Sequence, residues 1–270
     1  MPVKATDILR AGFFGTTAWI KNNRWLLFSM VIWPYLIAFL LIALGLVYGS
    51  LETYRERLGV SNPILYILAG SGIVMSSLLI IDTVATTTLH HRWLGTLPYL
   101  MLTPTRMYKV LVIEPLPGAL ISSTMGILAI VPGTVYFEGL IGACKLLIVL
   151  LLVYMGMLPL IGLSVIVASI TLTLREESNV AAFLTPLVLL VSGIFYPLEV
   201  LPQILQYMSR IFPTSYIVEA TRMVATYTIP EFRALLITVY ALVALTLIYN
   251  GVASIVLTSS ERIVKRSGVI

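Results

Sequence analysis

Six stretches of this chain, residues 25–48, 64–84, 116–135, 146–174, 180–196 and 234–257, are almost wholly apolar, and five of them contain no Asp, Glu, Lys, Arg or His. A helix that crosses a bilayer needs about 20 mainly apolar residues. Backbone N–H and C=O groups find no water in hydrocarbon, so such stretches must satisfy them internally. Composition agrees: 59% of the residues are hydrophobic and 11% charged, where a soluble domain carries about 25% charged residues. One soluble core has no room for this surplus. The alternating short-strand pattern of a membrane barrel is absent. The expected fold class is therefore an all-α integral membrane protein with six transmembrane helices. The first run is too long, and starts too late, for a cleaved signal peptide. The fourth is long enough to tilt, with Pro159 a candidate kink, and the fifth is short.

Orientation follows from Lys and Arg, which gather in cytoplasmic loops. Eleven fall on the side of the amino terminus, and six on the other. Both termini are expected in the cytoplasm and the protein in the plasma membrane. The net charge of +5 then reflects topology, not affinity for nucleic acid.

Three further segments are amphipathic. Residues 5–25 place Ile8, Leu9, Phe13, Trp19 and Ile20 among Arg10, Lys21 and Arg24, the pattern of a helix lying in the headgroup layer. Residues 90–112 are broken by Gly95, Pro98 and Pro104, and read as a short helix, a turn and the approach to the third span. Their apolar face, including Trp93, Leu94 and Leu97, fits either the lipid surface or another protein. Residues 197–229 hold two apolar stripes hinged at Pro213. Leu198, Leu201, Ile204, Leu205 and Met208 form the first, and Tyr216, Ala220, Met223 and Val224 the second. Pro202 is tolerated early in the first helix, and Thr214 or Ser215 is a candidate cap for the second. Neither helix is apolar enough all round to cross, so the pair is expected to dip into the outer leaflet without crossing. Glu219 and Arg222, three residues apart, are expected to pair on its polar face.

What is missing narrows the function. Ion and proton pathways show ionisable residues at mid-membrane depth. Here Asp82 lies near the end of the second span and Glu114 just before the third, both expected to pair with Arg92, Arg106 or Lys109. No GxxxxGK[ST] phosphate loop is present. His90 and His91 are adjacent, without metal-ligand spacing, and read as interfacial polar residues. Cys144 is the only cysteine, so no disulfide forms within the chain. No Gly-x-Ser-x-Gly turn supports a hydrolase. The chain reads as a pathway and not as a catalyst.

The stretch SGIFYPLEVLPQILQYMSRIFPTSYIVEATR, residues 192–222, resembles the permease subunit of type-2 ATP-binding cassette (ABC) transporters. Ser192, Gly193, Pro197, Leu198, Pro202, Pro213, Glu219, Ala220 and Arg222 stand in suitable places. LGTLPYLMLTPTRMYKVLV is similar to the family's cytoplasmic Gly-Thr-Leu…Thr-Pro element, through Gly95, Thr96, Leu97, Thr103 and Pro104. The acidic residue that the family often has shortly before Gly-Thr is replaced by the run from His90 to Leu94. The resemblance covers nearly the whole chain. It implies one transmembrane domain: a cytoplasmic helix over 1–24, spans one to five over 25–196, outer re-entrant helices over 197–229 and span six over 234–257. It also implies an exporter of two permease copies, a homodimer, with two ABC ATPase subunits that hold ATP and Mg, so that this chain binds no cofactor itself. Arg92, Trp93, Leu94, Gly95, Thr96 and Leu97 become the coupling surface for the ATPase, and the turn at 175–179 a lesser one. Pro197, Glu199, Pro213, Glu219 and Arg222 become the outer gate. Trp33, Phe39, Met75, Met125 and Tyr154 are candidate pathway residues, since Met and aromatic side chains adapt to varied ligands. The expected cargo is an amphipathic small molecule, a lipid or a glycan. The alternatives are a membrane scaffold or assembly factor that uses the amphipathic pieces for docking, and an energy-independent channel or ion-coupled carrier, which the poverty of charge disfavours.

Overall fold

In a computed structural model, residues 4–48, 63–102, 107–174, 187–188, 190–193, 198, 201–226 and 232–266 are described. They form ten α-helices: α1 (Ala5–Asn22), α2 (Arg24–Tyr48), α3 (Pro63–Trp93), α4 (Leu97–Leu102), α5 (Met107–Ile113), α6 (Leu116–Ala129), α7 (Val131–Leu174), α8 (Gln203–Ser209), α9 (Pro213–Thr226) and α10 (Phe232–Arg266). Among the described residues three stretches are long and apolar enough to cross a bilayer: Met107–Ala129, Val131–Thr173 and Phe232–Val264. Phe28–Leu40 and Ile64–Ile73 are shorter apolar helices. Most of the fifth apolar run lies outside the described residues, as do Pro197 and Glu199.

The boundary between the third and fourth runs differs from the sequence expectation. The helix does not stop at residue 135, and no loop fills 136–145. Instead α7 reverses at Gly139, whose φ of 66° and ψ of −152° are not helical. A positive φ costs glycine nothing, which is what lets one residue make the turn. The two arms then pack as an antiparallel pair. A Cβ on Gly142 would stand 2.9 Å from the Thr134 carbonyl oxygen, Lys145 Nζ bonds Glu138 Oε2 at 2.8 Å, and the Thr124 and Tyr154 hydroxyls meet at 2.6 Å. Residues 136–145 look like a polar loop because Glu138 and Lys145 break the apolar run, yet they neutralise each other across the hairpin. Pro159 lies within the helix; the break is at Gly139.

Small residues bring α3 and α6 together, as is usual where helices meet without a hydrophobic drive between them. Gly72 faces Ile130 and the Gly126 carbonyl, a Cβ on Gly126 would lie 2.8 Å from Ser76 Oγ, and one on Gly118 3.2 Å from Thr83 Cγ2. The rising numbers on one helix against falling numbers on the other make the pair antiparallel. Ser76 Oγ also donates to the Ser123 carbonyl, 3.1 Å. On α2, the Tyr35 hydroxyl donates to the Ala129 carbonyl at 2.7 Å and accepts from the Gly133 amide.

The most extensive packing is between α7 and α10, and it is parallel. Asn250 Nδ2 donates to the Leu158 carbonyl at 3.1 Å, and the Thr173 hydroxyl donates to Ser260 Oγ at 2.9 Å. Asn250 Oδ1 accepts from the Tyr108 hydroxyl at 2.9 Å, so one amide links α5, α7 and α10. Conversely α9 runs antiparallel to α10: Ile211, before α9, receives the Tyr249 hydroxyl on its carbonyl at 2.9 Å, while Ile217 lies with Leu242 beside Gly156.

That contact gives a direct test. Ile217 is fully buried, and a Cβ on Gly156 would overlap its Cδ1 and Cγ1. Overpacking a full core costs about 1–3 kcal/mol. Gly156→Val is therefore expected to lower the unfolding free energy of the purified protein by that much, and Gly156→Val with Ile217→Ala to recover part of it. An unchanged midpoint in Gly156→Val would show that α9 does not sit on α7.

Candidate functional site

At the end of the bundle that carries α1, four segments meet: α1, the end of α3, α4, and the joint between α5 and α6. The chain leaves α3 through a Schellman turn, in which the Thr96 amide donates to the His91 carbonyl (2.9 Å) and the Gly95 amide to that of Arg92 (3.0 Å). Such a turn needs a left-handed residue, and Gly95 supplies it with φ 66°. Thr96 is pinned twice more. Its Oγ1 lies 3.1 Å from the His91 carbonyl and 3.0 Å from His91 Nδ1. The other ring nitrogen, Nε2, lies 2.9 Å from Glu114 Oε2. Side-chain exposures of 15% and 27% for His91 and Glu114 leave this pair partly shielded, where a charge-assisted bond is worth more than on an open surface.

Glu114 holds α1 as well. A Cβ on Gly12 would overlap the Glu114 carbonyl oxygen, so the α1 backbone lies directly on the α5–α6 joint. One turn later Thr16 meets Gly118, whose Cβ would lie 3.2 Å from Thr16 Oγ1. Ile8 and Gly12 are buried, while Leu9, Phe13, Phe14 and Trp19 are exposed.

The turn that this junction stiffens presents an apolar knuckle. Trp93, Leu94, Tyr99 and Leu102 are 66%, 61%, 72% and 74% exposed. Leu97 points the other way, into the core. Of the sequence candidates, then, Trp93 and Leu94 are displayed, Gly95 shapes the turn, Thr96 fastens it, Leu97 anchors it and Arg92 is half-buried. Tyr99 and Leu102 join the displayed set. Thr103, Pro104 and Arg106 lie outside the described residues.

Two sequence expectations are corrected here. Glu114 pairs with His91, not with Arg92 or Lys109, and His91 is not an interfacial spectator. The reason is tertiary: the end of α3 and the start of α6 are neighbours because the two helices run antiparallel. Asp82 is exposed on α3.

A second polar feature lies at the turn between α8 and α9. Arg210 Nη1 bonds Glu219 Oε2 at 2.7 Å and its guanidinium lies 5.8 Å from the Tyr216 ring centroid. Glu219 thus has a partner in the turn preceding α9; the expected pairing with Arg222 involves a side chain outside the described residues. The turn folds Arg210 back beside the second turn of α9. Pro202 precedes α8 as its cap residue, not inside it, and α9 begins at Pro213, so Thr214 and Ser215 are in its first turn and do not cap it. Their hydroxyls, and that of Ser77 on α3, are buried without a hydrogen-bond partner. The Arg210–Glu219 pair is half-exposed, 53% and 37%, and exposed pairs contribute about 0–1 kcal/mol. Glu219→Gln is expected to change the unfolding free energy by no more than that, and the exchange Arg210→Glu with Glu219→Arg to restore whatever either single reversal removes.

The described pathway candidates lie on three helices, α2, α6 and α7. Trp33 and Phe39 are exposed on α2, Met125 is half-buried on α6, and Tyr154 is bonded to Thr124 across the α6–α7 hairpin. The side chain of Met75 lies outside the described residues. Among the described residues no group of three or more His, Cys, Asp or Glu is placed to hold a metal.

The arrangement is an amphipathic helix laid across the foot of a membrane bundle, tied to a stiff exposed turn. The sequence pattern of ABC-2 type transporters matches residues 6–226. The chain belongs to that family. The match runs from the second residue of α1 to the last of α9, and so takes in both the junction and the α8–α9 turn. An ABC-2 chain is the membrane-spanning permease component of an ABC transporter, whose family partner is an ABC ATPase. No curated protein matched the sequence.

Proposed function

We propose that this permease belongs to an ATP-driven exporter and that the α1–Glu114–His91–Thr96 junction transmits the work of the ATPase. The observation that carries this reading is the joining of two features at one place. The exposed knuckle of Trp93, Leu94, Tyr99 and Leu102 offers an apolar surface, and the polar links behind it run straight into α1 and the foot of α6. A partner that pushes on the knuckle moves two spans and the interfacial helix together.

The remaining parts follow from the same reading. Two copies of this chain, a homodimer, pair with two ATPase subunits that hold ATP and Mg. Both termini face the cytoplasm, in the plasma membrane. Six crossings are supported by the parallel course of α7 and α10, which requires the chain between them to return across the bilayer once; the fifth run, 180–196, is the segment available. α8 and α9 then form the outer re-entrant pair, with Pro197, Glu199, Pro213, Glu219 and Arg222 at the gate. Ile217 beside Gly156, near the middle of the long arm of α7, carries the pair well into the bundle. The cargo is an amphipathic small molecule, lipid or glycan, moved along the interface of the two permeases.

The test is reconstitution of the permease with the ABC ATPase that copurifies with it, followed by ATPase measurement across a substrate panel. Stimulation by a cargo, and its loss in Trp93→Ala with Leu94→Ala, is the expected result. A permease that never retains a phosphate-loop ATPase, or whose ATPase ignores the knuckle variants, would mean that the surface docks something else, as a scaffold would.

A further inference from the structure

Between α1 and the first turns of α6 lies an open cleft of about 510 Å³, lined by Leu9, Phe13, Phe14, Pro117, Leu120 and Ile121, with Arg10 at its rim. That volume falls within the range of about 300–1,000 Å³ typical of ligand sites. The lining is apolar apart from the one guanidinium. Arg10 is exposed and has no ion-pair partner among the described residues. At its floor Pro117 is buried, and Thr16 stands against the neighbouring Gly118. Above the cleft the outward face of α6 continues through Leu128, 50% exposed.

The geometry points to a binding site for one anionic phospholipid, its phosphate on Arg10 and one acyl chain lying over Phe13, Phe14 and Leu120 and then along α6. Three facts favour this occupant over a protein. The cleft is lined by exposed Leu9, Phe13 and Phe14 of a helix whose amphipathic pattern belongs in the headgroup layer. A single cation at the mouth of an apolar slot matches the division of a phospholipid into anion and chain. Lys4, Lys21 and Arg24 add positive charge along the same segment, and basic residues at an anionic membrane surface each add attraction. The consequence is regulatory. The lipid would press on the face of α1 next to Gly12, and Gly12 rests on Glu114, so its presence sets how firmly α1 is seated on the junction. This inference rests on the interfacial placement of α1, and not on the direction of transport or on the cargo.

Native mass spectrometry of the detergent-purified protein, titrated with phosphatidylglycerol or phosphatidylcholine of the same chains, tests it. One phosphatidylglycerol per chain is expected to survive collision energies that strip phosphatidylcholine. Arg10→Gln should weaken its retention about fivefold, the effect of one basic residue at an anionic surface, and Arg10→Lys should restore most of it. Leu120→Trp, which fills the cleft, should remove the adduct, while its unfolding midpoint confirms that the variant is folded. Equal retention of both lipids, or an unchanged adduct in Arg10→Gln, would overturn the assignment. So would a photo-crosslinker at Phe14 that captures an ATPase or a second permease and no lipid. A permease that binds the lipid but stimulates no ATPase would leave this site standing and sink the exporter reading.

Discussion

Gly12→Val is expected to lift α1 off the bundle and to lower cargo-stimulated ATPase activity about tenfold or more. The glycine touches backbone, not a side chain: a Cβ there would overlap the Glu114 carbonyl oxygen. A flexible side chain can swing away from an intruding methyl group, but a carbonyl inside a helical joint cannot without breaking the hydrogen bonds around it. The helix must therefore shift as a unit. A cysteine pair at Thr16 and Gly118, in a background where Cys144 is serine, reads this directly, because Thr16 Oγ1 lies 3.2 Å from the Cβ position of Gly118. Cross-linking should be efficient in the parent and largely lost with Gly12→Val. A variant that cross-links as well as the parent while losing coupling would locate the fault elsewhere. Gly15, with open space around its Cβ position, serves as the control, and Gly15→Ala should leave both readouts unchanged.

The second large effect is expected at the His91–Glu114 pair. His91→Ala removes the side chain that joins Thr96 at the turn to Glu114 at the foot of α6, and takes His91 from a partly shielded carboxylate. Glu114→Gln keeps the shape and removes the charge. Each should reduce stimulated ATPase activity severalfold, and the double variant should be no worse than the more damaging single one. The corresponding interaction energy in unfolding measurements should fall in the range of about 0.5–3 kcal/mol found for residues in one network. Additive losses would mean that the two side chains act separately and that the turn is held by its Schellman bonds alone.

Much of the fold is legible in the sequence, for a simple reason. Periodicity and the absence of charge are local, and in a bilayer they nearly dictate a helix wherever they occur. α1, the broken pair α4 and α5, and the two helices on either side of Ile211 are all found where the apolar stripes and prolines place them. The failures are just as physical. Residues 136–145 look like a loop because Glu138 and Lys145 interrupt an apolar run, but charge in a segment reveals nothing about whether its neighbour neutralises it. Arg210 was not seen as a partner of Glu219, because helical spacing takes no account of a turn that returns Arg210 to the same face. Thr214 and Ser215 looked like caps because Pro213 was taken for a hinge, although proline is also well suited to open a helix.

The candidate site was half visible. Gly95 and Thr96 stand out in the sequence, and the αL turn gives a reason for the glycine. His91 could not be weighed without its partner, since Glu114 is 23 residues away and belongs to another helix. Gly12 carries no signal in the helical pattern of residues 5–25, yet it is a point at which that helix touches the bundle.

The sequence by itself determined that this chain is helical and membrane-embedded, with amphipathic segments between its apolar runs and no phosphate loop of its own. Those properties follow from side-chain solvation and backbone hydrogen bonding, which each segment settles alone. Only the tertiary structure decided which glycines bear contacts, that Gly139 is the reversal, that α7 and α10 run parallel, and that His91 answers to Glu114. Those depend on which helices become neighbours, and packing between distant segments is not encoded in the periodicity of either one.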